Sequence, residues 1–186
     1  MDKREEKTLR LINDAFTKLI NIKNYDDITI QDILEQAGIS RSAFYAHFKT
    51  KNDLLLSISK HIFEHVFSKS LQEEKTHDFS KDAFFDYKHL IIHIFYHVQD
   101  EKELFKGILS SNGNEVFINE FKIHINKLVS SYFNNYPYRD ESLIPLELKK
   151  EILVNDFIVI LNYWVNDNFK ETPENMGEYY FHLFTR

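Results

Sequence analysis

The stretch that decides the fold reads Thr29-Ile-Gln-Asp-Ile-Leu-Glu-Gln-Ala-Gly-Ile-Ser-Arg-Ser-Ala-Phe-Tyr-Ala-His-Phe-Lys-Thr-Lys51. Thr29 is typical of a helix N-cap, and Asp32 stands three residues later, where a capping box has its acidic partner. The apolar residues that follow predict a short helix ending at Gly38, since glycine readily adopts the left-handed conformation of a helix C-terminus. Ser40 then predicts the N-cap of another short helix over residues 41–48. Two short helices joined by such a turn are typical of a helix-turn-helix.

The remainder of the chain also predicts helices. Apolar residues recur at helical spacing before this stretch, in a first helix that ends near residues 21–24, and after it, in a fourth helix with Leu54, Leu55 and Ile58. Further helices are predicted over residues 80–99, 101–111, 114–135, 145–169 and 173–184. Only four Gly and three Pro occur among 186 residues, which disfavours a β-rich fold. The sequence therefore predicts an all-α protein.

Charge confines any contact with nucleic acid to the N-terminal end. The formal net charge is -6, but residues 1–51 hold nine Lys/Arg against eight Asp/Glu, whereas the rest hold fourteen against twenty-one. Phosphate contacts are therefore expected only within residues 1–51. The charged N-terminus predicts no signal peptide, and the longest apolar run, Leu90–Tyr96, is too short to span a membrane. We expect a soluble, cytoplasmic protein with no membrane partner.

Residues 29–55 closely resemble the DNA-binding domain of the tetracycline-repressor (TetR) family. The resemblance covers roughly residues 5–56, and its most specific part is Gly38-Ile-Ser, Phe44-Tyr-Ala-His-Phe48 and Lys51. It implies an all-α homodimer in which residues 1–50 form a three-helix DNA-binding domain. Residues 51–186 would form a helical bundle for effector binding and dimerisation. The implied function is a transcriptional regulator, usually a repressor that a small-molecule effector releases from double-stranded operator DNA.

The same resemblance implies roles for single residues. Thr29 would hold a phosphate at the start of the second helix, and the third helix would face the major groove with its N-terminal half. The residues implied in DNA binding are Thr29, Ser40, Arg41, Ser42, Ala43, Tyr45, His47 and Lys51, the last three on the DNA backbone. Arg41 is a natural partner for guanine, although a solvated surface charge is the alternative. Phe44 and Phe48 are expected in the core.

The predicted helix over residues 145–169 carries apolar residues almost all round. A helix that is apolar on every side is buried on every side, so a second subunit is expected to cover it together with the last helix. The alternative is a central helix of a monomer. An effector cavity would be lined by aromatic side chains, and the candidates are Phe63, Phe67, Phe84, Tyr87, Phe105, Phe117 and Phe121. Plain core residues are the alternative for each of them.

His89, His93 and His97 recur every four residues, with Asp86 before them, and so share one side of a helix. We expect this histidine stripe to face water. The alternatives are the polar lining of an effector cavity, or a metal or pH sensor that would make the regulator metal- or pH-responsive.

An enzyme is not expected, because the sequence has no cysteine, no glycine-rich phosphate loop and no serine nucleophile elbow. We accordingly expect no catalytic residue, no cofactor and no bound metal. A helix-turn-helix that contacts only protein is a further alternative, and a steep loss of DNA binding with salt would argue against it.

Overall fold

The structure, a computed structural model, describes residues 3–67, 87–110, 114–135 and 144–184, with the side chains of Ser59, 61–67, Asn135 and Phe184 left out. Over these residues it contains α-helices and a short 3-10 turn at Tyr25–Asp27, and no strand, which confirms the all-α fold. The helices are α1 (Lys3–Ile20), α2 (Ile30–Ala37), α3 (Arg41–Tyr45), α4 (Lys51–Phe67), α5 (Tyr87–Asp100), α6 (Lys102–Leu109), α7 (Glu115–Asn135), α8 (Leu146–Asn166) and α9 (Pro173–Phe184). No helix in the described ranges is long and apolar enough to cross a membrane.

The chain divides into two compact units. The first contains the residues up to Lys60 together with Glu101–Phe117, and the second contains His61–Asp100 and Ile118–Arg186. Helix α6 thus belongs to the same unit as α1, α2 and α3, although it follows them by more than fifty residues. These are units of packing. The division at residue 50 into a DNA-binding and an effector-binding domain is a division of function and stays a prediction.

The first unit is built on α1, which packs against both α2 and α6. Phe16 on α1 is fully buried, and its ring meets that of Tyr25 edge-on, with the centroids 6.2 Å apart. Helix α6 approaches the end of α1 closely, because Gly107 has no side chain to hold the two apart. The amide of Asn21 donates hydrogen bonds to the Thr17 carbonyl (2.7 Å) and, across the contact, to the Glu103 carbonyl (2.8 Å). The C-terminal end of α1 is therefore fixed by α6.

The second unit has an aromatic core centred on Phe157 of α8. Its ring stacks on Phe95 of α5 at 4.9 Å, meets Tyr180 of α9 edge-on at 5.5 Å, and lies 6.3 Å from Phe121 of α7. All four side chains are fully buried. Four helices thus meet at one ring, and each buried aromatic side chain removes a large apolar area from water.

The chain turns between α8 and α9 through two consecutive residues in the left-handed region, Asn168 and Phe169, each with φ near 57°. Such a φ is costly for a residue as bulky as phenylalanine. The Phe169 amide donates to the Trp164 carbonyl (2.9 Å), and the two rings lie 4.9 Å apart. The Trp164 indole in turn donates to the Glu171 carbonyl (2.8 Å). These contacts hold the turn in its conformation.

The histidine stripe on α5 differs from the expectation. We expected it to face water, but only 2% of His93 is exposed, and His89 and His97 are partly buried. The Nε2 atoms of His93 and His97 lie 3.0 Å apart. The prediction was wrong for His93, because apolar residues on several sides of α5 are also buried and the helix is enclosed over most of its circumference. Asp86 lies outside the described residues.

Candidate nucleic-acid interface

The start of α2 is fixed by a reciprocal capping box, as the sequence predicts. The Thr29 hydroxyl accepts from the Asp32 amide (3.1 Å), and the Asp32 carboxylate accepts from the Thr29 amide (2.8 Å). Lys23 adds an ion pair to the same carboxylate at 2.8 Å. The hydrogen bond from Lys23 and those from Thr29 lower the pKa of Asp32 from 3.8 to about 2. Thr29 is exposed, at the place where the resemblance puts a phosphate.

The turn between α2 and α3 also has the predicted geometry. Gly38 has φ 64°, and its amide donates to carbonyls of the last turn of α2. The Ser40 hydroxyl accepts from the Ala43 amide (3.2 Å) and lies 3.0 Å from the Ser42 hydroxyl. Helix α3 ends at Tyr45, three residues before the predicted end, because residues 46–48 form a tighter turn in which the His47 amide donates to the Phe44 carbonyl (2.9 Å).

Helix α3 is held to the core by aromatic side chains, as expected. Phe44 is fully buried and Phe48 is 7% exposed, with their ring centroids 5.7 Å apart. The start of α3 is polar: Ser40, Arg41 and Ser42 are exposed. The third helix therefore combines a buried aromatic anchor with a polar start that is open to a partner.

Arg41 is joined to α2 by a residue that the sequence analysis missed. Its guanidinium donates to the Gln31 side-chain oxygen (3.2 Å), and the Gln31 amide donates to the Glu35 carboxylate (2.8 Å). Both Gln31 and Arg41 are exposed. A polar residue near the N-terminus of α2 was a visible signal, but its proximity to Arg41 depends on how the two helices cross. Gln31 thus joins the candidates for contact with DNA.

Tyr45 is the last residue of α3, and His47 lies in the turn that follows. Tyr45 is 48% exposed, and its ring packs edge-on against Phe44 at 5.7 Å. His47 is partly buried, and its ring lies 6.2 Å from that of Phe48. Each residue therefore has one part packed on the core and another part open to solvent, an arrangement suited to a positioned contact with the DNA backbone.

Lys51, for which the resemblance implies a contact with the DNA backbone, has its ammonium against its own chain. Its ammonium donates to the carbonyls of Tyr25 (2.5 Å), Asp26 (3.1 Å) and Ile28 (2.9 Å). It also lies 4.3 Å from the centre of the Tyr25 ring. The ammonium of Lys51 therefore points towards backbone carbonyls of its own chain.

A second capping box stands at the start of α4, and the sequence analysis missed it. The Asp53 amide donates to the Thr50 hydroxyl (3.1 Å), and the Asp53 carboxylate accepts from the Thr50 amide (2.9 Å) and the Lys49 amide (3.1 Å). The signal was present, because Thr50-Lys-Asn-Asp53 repeats the Thr-x-x-Asp pattern of Thr29-Ile-Gln-Asp32. The helices α2 and α4 on either side of α3 thus begin in the same way.

The aromatic candidates for an effector pocket fall into different parts of the structure. Phe105 and Phe117 are buried in the first unit, with ring centroids 5.4 Å apart, whereas Tyr87 and Phe121 are buried in the second. The side chains of Phe63, Phe67 and Phe84 lie outside the described part of the chain. Burial and the neighbouring Tyr180 raise the pKa of the Tyr87 hydroxyl, so this phenol stays protonated. Among the described residues, no three His, Asp or Glu side chains come together so as to hold a metal ion.

Two protein-family models match the chain. Residues 12–58 match the model of bacterial regulatory proteins of the tetR family, and residues 86–186 match that of a transcriptional regulator C-terminal region. The first match covers the second half of α1, all of α2 and α3 and the start of α4, and the second begins just before α5. Together they leave residues 1–11 and 59–85 unmatched.

Individual proteins give the same result. The HTH-type transcriptional regulator YuxN of Bacillus subtilis is 23% identical over 84% of this chain, which spans only 56% of the length of YuxN. The IcaR regulator of Staphylococcus aureus, described as a negative transcriptional regulator of the biofilm operon icaADBC, is 23% identical over 83% of this chain and 80% of its own. A crystal structure of a TetR transcriptional regulator from Streptococcus agalactiae superimposes with a TM-score of 0.73 and 26% identity, covering 100% of this chain and 97% of that one.

Proposed function

Because this chain belongs to the tetR family of bacterial regulatory proteins, we propose that it is a transcriptional repressor that binds operator DNA through α2 and α3. The observation that carries the proposal is the exposed polar start of α3, with Ser40, Arg41 and Ser42, on a helix that the buried ring of Phe44 anchors. Arg41 and Ser42 would read base edges in the major groove, with Ser40 and Ala43 beside them at the start of the helix. Thr29, Tyr45 and His47 would contact phosphates.

We further propose that the protein binds its operator as a homodimer. One side of α8 exposes large apolar residues at helical spacing, and α9, which packs against α8, exposes two more. These residues, which we call the α8–α9 apolar face, are Leu148, Ile152, Val159, Tyr163, Tyr179 and Leu183. Val159 is the most exposed of the six, at 64%. A group of exposed apolar side chains of this kind is typical of a subunit interface, and a twofold axis would pair it with itself.

An effector is proposed to act on the second unit. Its buried aromatic side chains, Tyr87 and Phe121 among them, suit a largely apolar small molecule with few polar groups. Such a ligand would favour one packing of the helical body and so shift the population of the DNA-binding arrangement. Release from the operator would follow from this shift without any chemical step.

Selection of bound DNA from a random double-stranded pool tests the proposal. We expect one enriched site with twofold symmetry, and a steep fall of affinity with salt, since neutralised phosphates release counterions. Failure of the wild-type protein to enrich any site would contradict the proposed function. Enrichment of an asymmetric single site would contradict the homodimer but would still agree with the proposed DNA binding.

The contact between His93 and His97 supports a second candidate, a regulator that responds to a metal ion. Two imidazole Nε2 atoms 3.0 Å apart on adjacent turns can share one transition-metal ion. Titration of the purified protein with zinc, followed by operator binding with and without the metal, decides between the two candidates. Stoichiometric zinc that changes operator affinity would favour the metal-responsive regulator.

A further inference from the structure

The ammonium group of Lys51 lies at the centre of three converging carbonyls. It donates to Tyr25 at 2.5 Å, to Asp26 at 3.1 Å and to Ile28 at 2.9 Å. A lysine ammonium has three hydrogens, and these three acceptors match their number. The face of the Tyr25 ring, 4.3 Å away, adds a cation–π contact.

This arrangement leaves no ammonium hydrogen for a DNA phosphate. To reach one, Lys51 would have to give up hydrogen bonds to carbonyls that are partly shielded from water, and unpaired acceptors in such a place are costly. The group is partly buried, which lowers its pKa, while Asp26 and Asp27 nearby oppose that shift. The ammonium of Lys51 is thus already hydrogen-bonded to groups of its own chain.

The segment held in this way leads directly into α2. Residues 25–28 are followed at once by Thr29, the N-cap of the helix. The neighbour of Lys51 on α4 acts on the same segment, since Asn52 accepts a hydrogen bond from the Tyr25 hydroxyl. The first turn of α4 therefore holds the 3-10 turn from which α2 begins.

We propose that Lys51 is a positioning residue, which fixes residues 25–28 and through them the start of α2, and that it is not a phosphate ligand. The part that concerns operator binding rests on the proposed function above. The part that concerns residues 25–28 does not, and can be tested in the free protein.

The first experiment measures amide hydrogen exchange without DNA in the wild type, Lys51→Met and Lys49→Met. Lys49 is the matched control, because it is exposed and carries the same charge two residues earlier. We expect the amides of Asp27 and Ile28, which are hydrogen-bonded within the turn, to exchange about tenfold faster in Lys51→Met only. Unchanged exchange in both variants would overturn the proposal.

The second experiment measures the affinity for the selected operator as a function of salt. We expect Lys51→Met to bind about tenfold more weakly, the equivalent of one hydrogen bond to a charged group, with an unchanged slope against salt. A lost phosphate contact would instead reduce that slope by about one. Such a reduction, with normal exchange at residues 25–28, would show that Lys51 is a phosphate ligand.

Lys51→Arg separates charge from geometry and serves if Lys51→Met folds poorly. The planar guanidinium keeps the charge but cannot direct three hydrogens at three carbonyls converging on one point. We expect Lys51→Arg to resemble Lys51→Met in exchange and in affinity. Full recovery of wild-type affinity by arginine would overturn the proposal. If the wild type binds no operator, the proposed function fails, and the exchange experiment still decides the role of Lys51.

Discussion

A Cβ atom added to Gly107 would stand 2.6 Å from Cγ2 of Ile20 and 3.0 Å from the Ile20 carbonyl carbon and oxygen. Helix α6 can therefore lie against the end of α1 only because residue 107 has no side chain. The obstacle includes backbone atoms, which cannot move away as the end of a flexible side chain can.

We expect Gly107→Ala to destabilise the protein, since overpacking of this kind costs about 1–3 kcal/mol, partly offset by the better helix propensity of alanine. Chemical denaturation measures the change. Gly177→Ala is a second test of overpacking, because its new Cβ would meet Cγ1 of the buried Ile92 side chain at 2.4 Å. It should also destabilise the protein, since a β-branched side chain in the core has little freedom to move aside. Wild-type stability of Gly107→Ala would show that α6 can shift freely on α1.

Arg41→Ala should weaken operator binding and relax the choice of base at one position of each half-site. A good bidentate pair between arginine and guanine is worth about 1–3 kcal/mol of discrimination. Selection from a random pool with the variant measures the relaxation directly. Arg10→Ala, which removes an exposed arginine from α1, should keep the wild-type preference. If Arg41→Ala also keeps it, Arg41 does not read a base.

The carboxylate of Asp32 should make the stability of the first unit depend on pH in the acidic range. Its pKa is about 2 in the folded protein and 3.8 in the reference state, so on acidification the unfolded chain takes up the proton first. The stabilisation is complete above about pH 4 and is lost as the pH falls towards 2. Lys23→Met should raise the pKa of Asp32, because the hydrogen bond from Lys23 is the largest cause of the shift. Carboxyl NMR titration checks both values, and an unchanged pKa in the variant would contradict the assigned cause.

Val159→Glu should convert the proposed homodimer into monomers, because it places a charge in the middle of the α8–α9 apolar face. Sedimentation velocity at several concentrations measures the oligomeric state. Ile123→Glu is the matched control: Ile123 is 51% exposed but belongs to α7 and not to the α8–α9 apolar face. We expect it to remain dimeric. A dimeric Val159→Glu would place the subunit contact elsewhere.

The local signals of α2 and α3 were predictable from the sequence because each acts within a few residues. Thr29 meets a partner three positions away, Ser40 likewise, and Gly38 is required by its own φ. The burial of His93 could not be predicted in this way. The spacing of histidines shows that they share a side of α5, but which side is covered depends on helices distant in the chain.

The contacts of Lys51 were likewise not predictable from the sequence. Its identity and its place in the resemblance are readable from the sequence, but the convergence of three carbonyls from residues 25–28 exists only in the folded chain. The membership of α6 in the first unit is another case, because it depends on a contact between residues that are far apart in the chain.

The anchoring of α3 by Phe44 has a consequence for how such a protein diverges. The exposed side chains of Arg41 and Ser42 take no part in the buried core, and the helix is held by its cap and by aromatic rings. If Arg41 and Ser42 read the operator as proposed, single-base changes in the gene would alter the recognised site while the protein still folds. After gene duplication, one copy would then acquire a new regulon through substitutions at these two positions, while its sister keeps the old one.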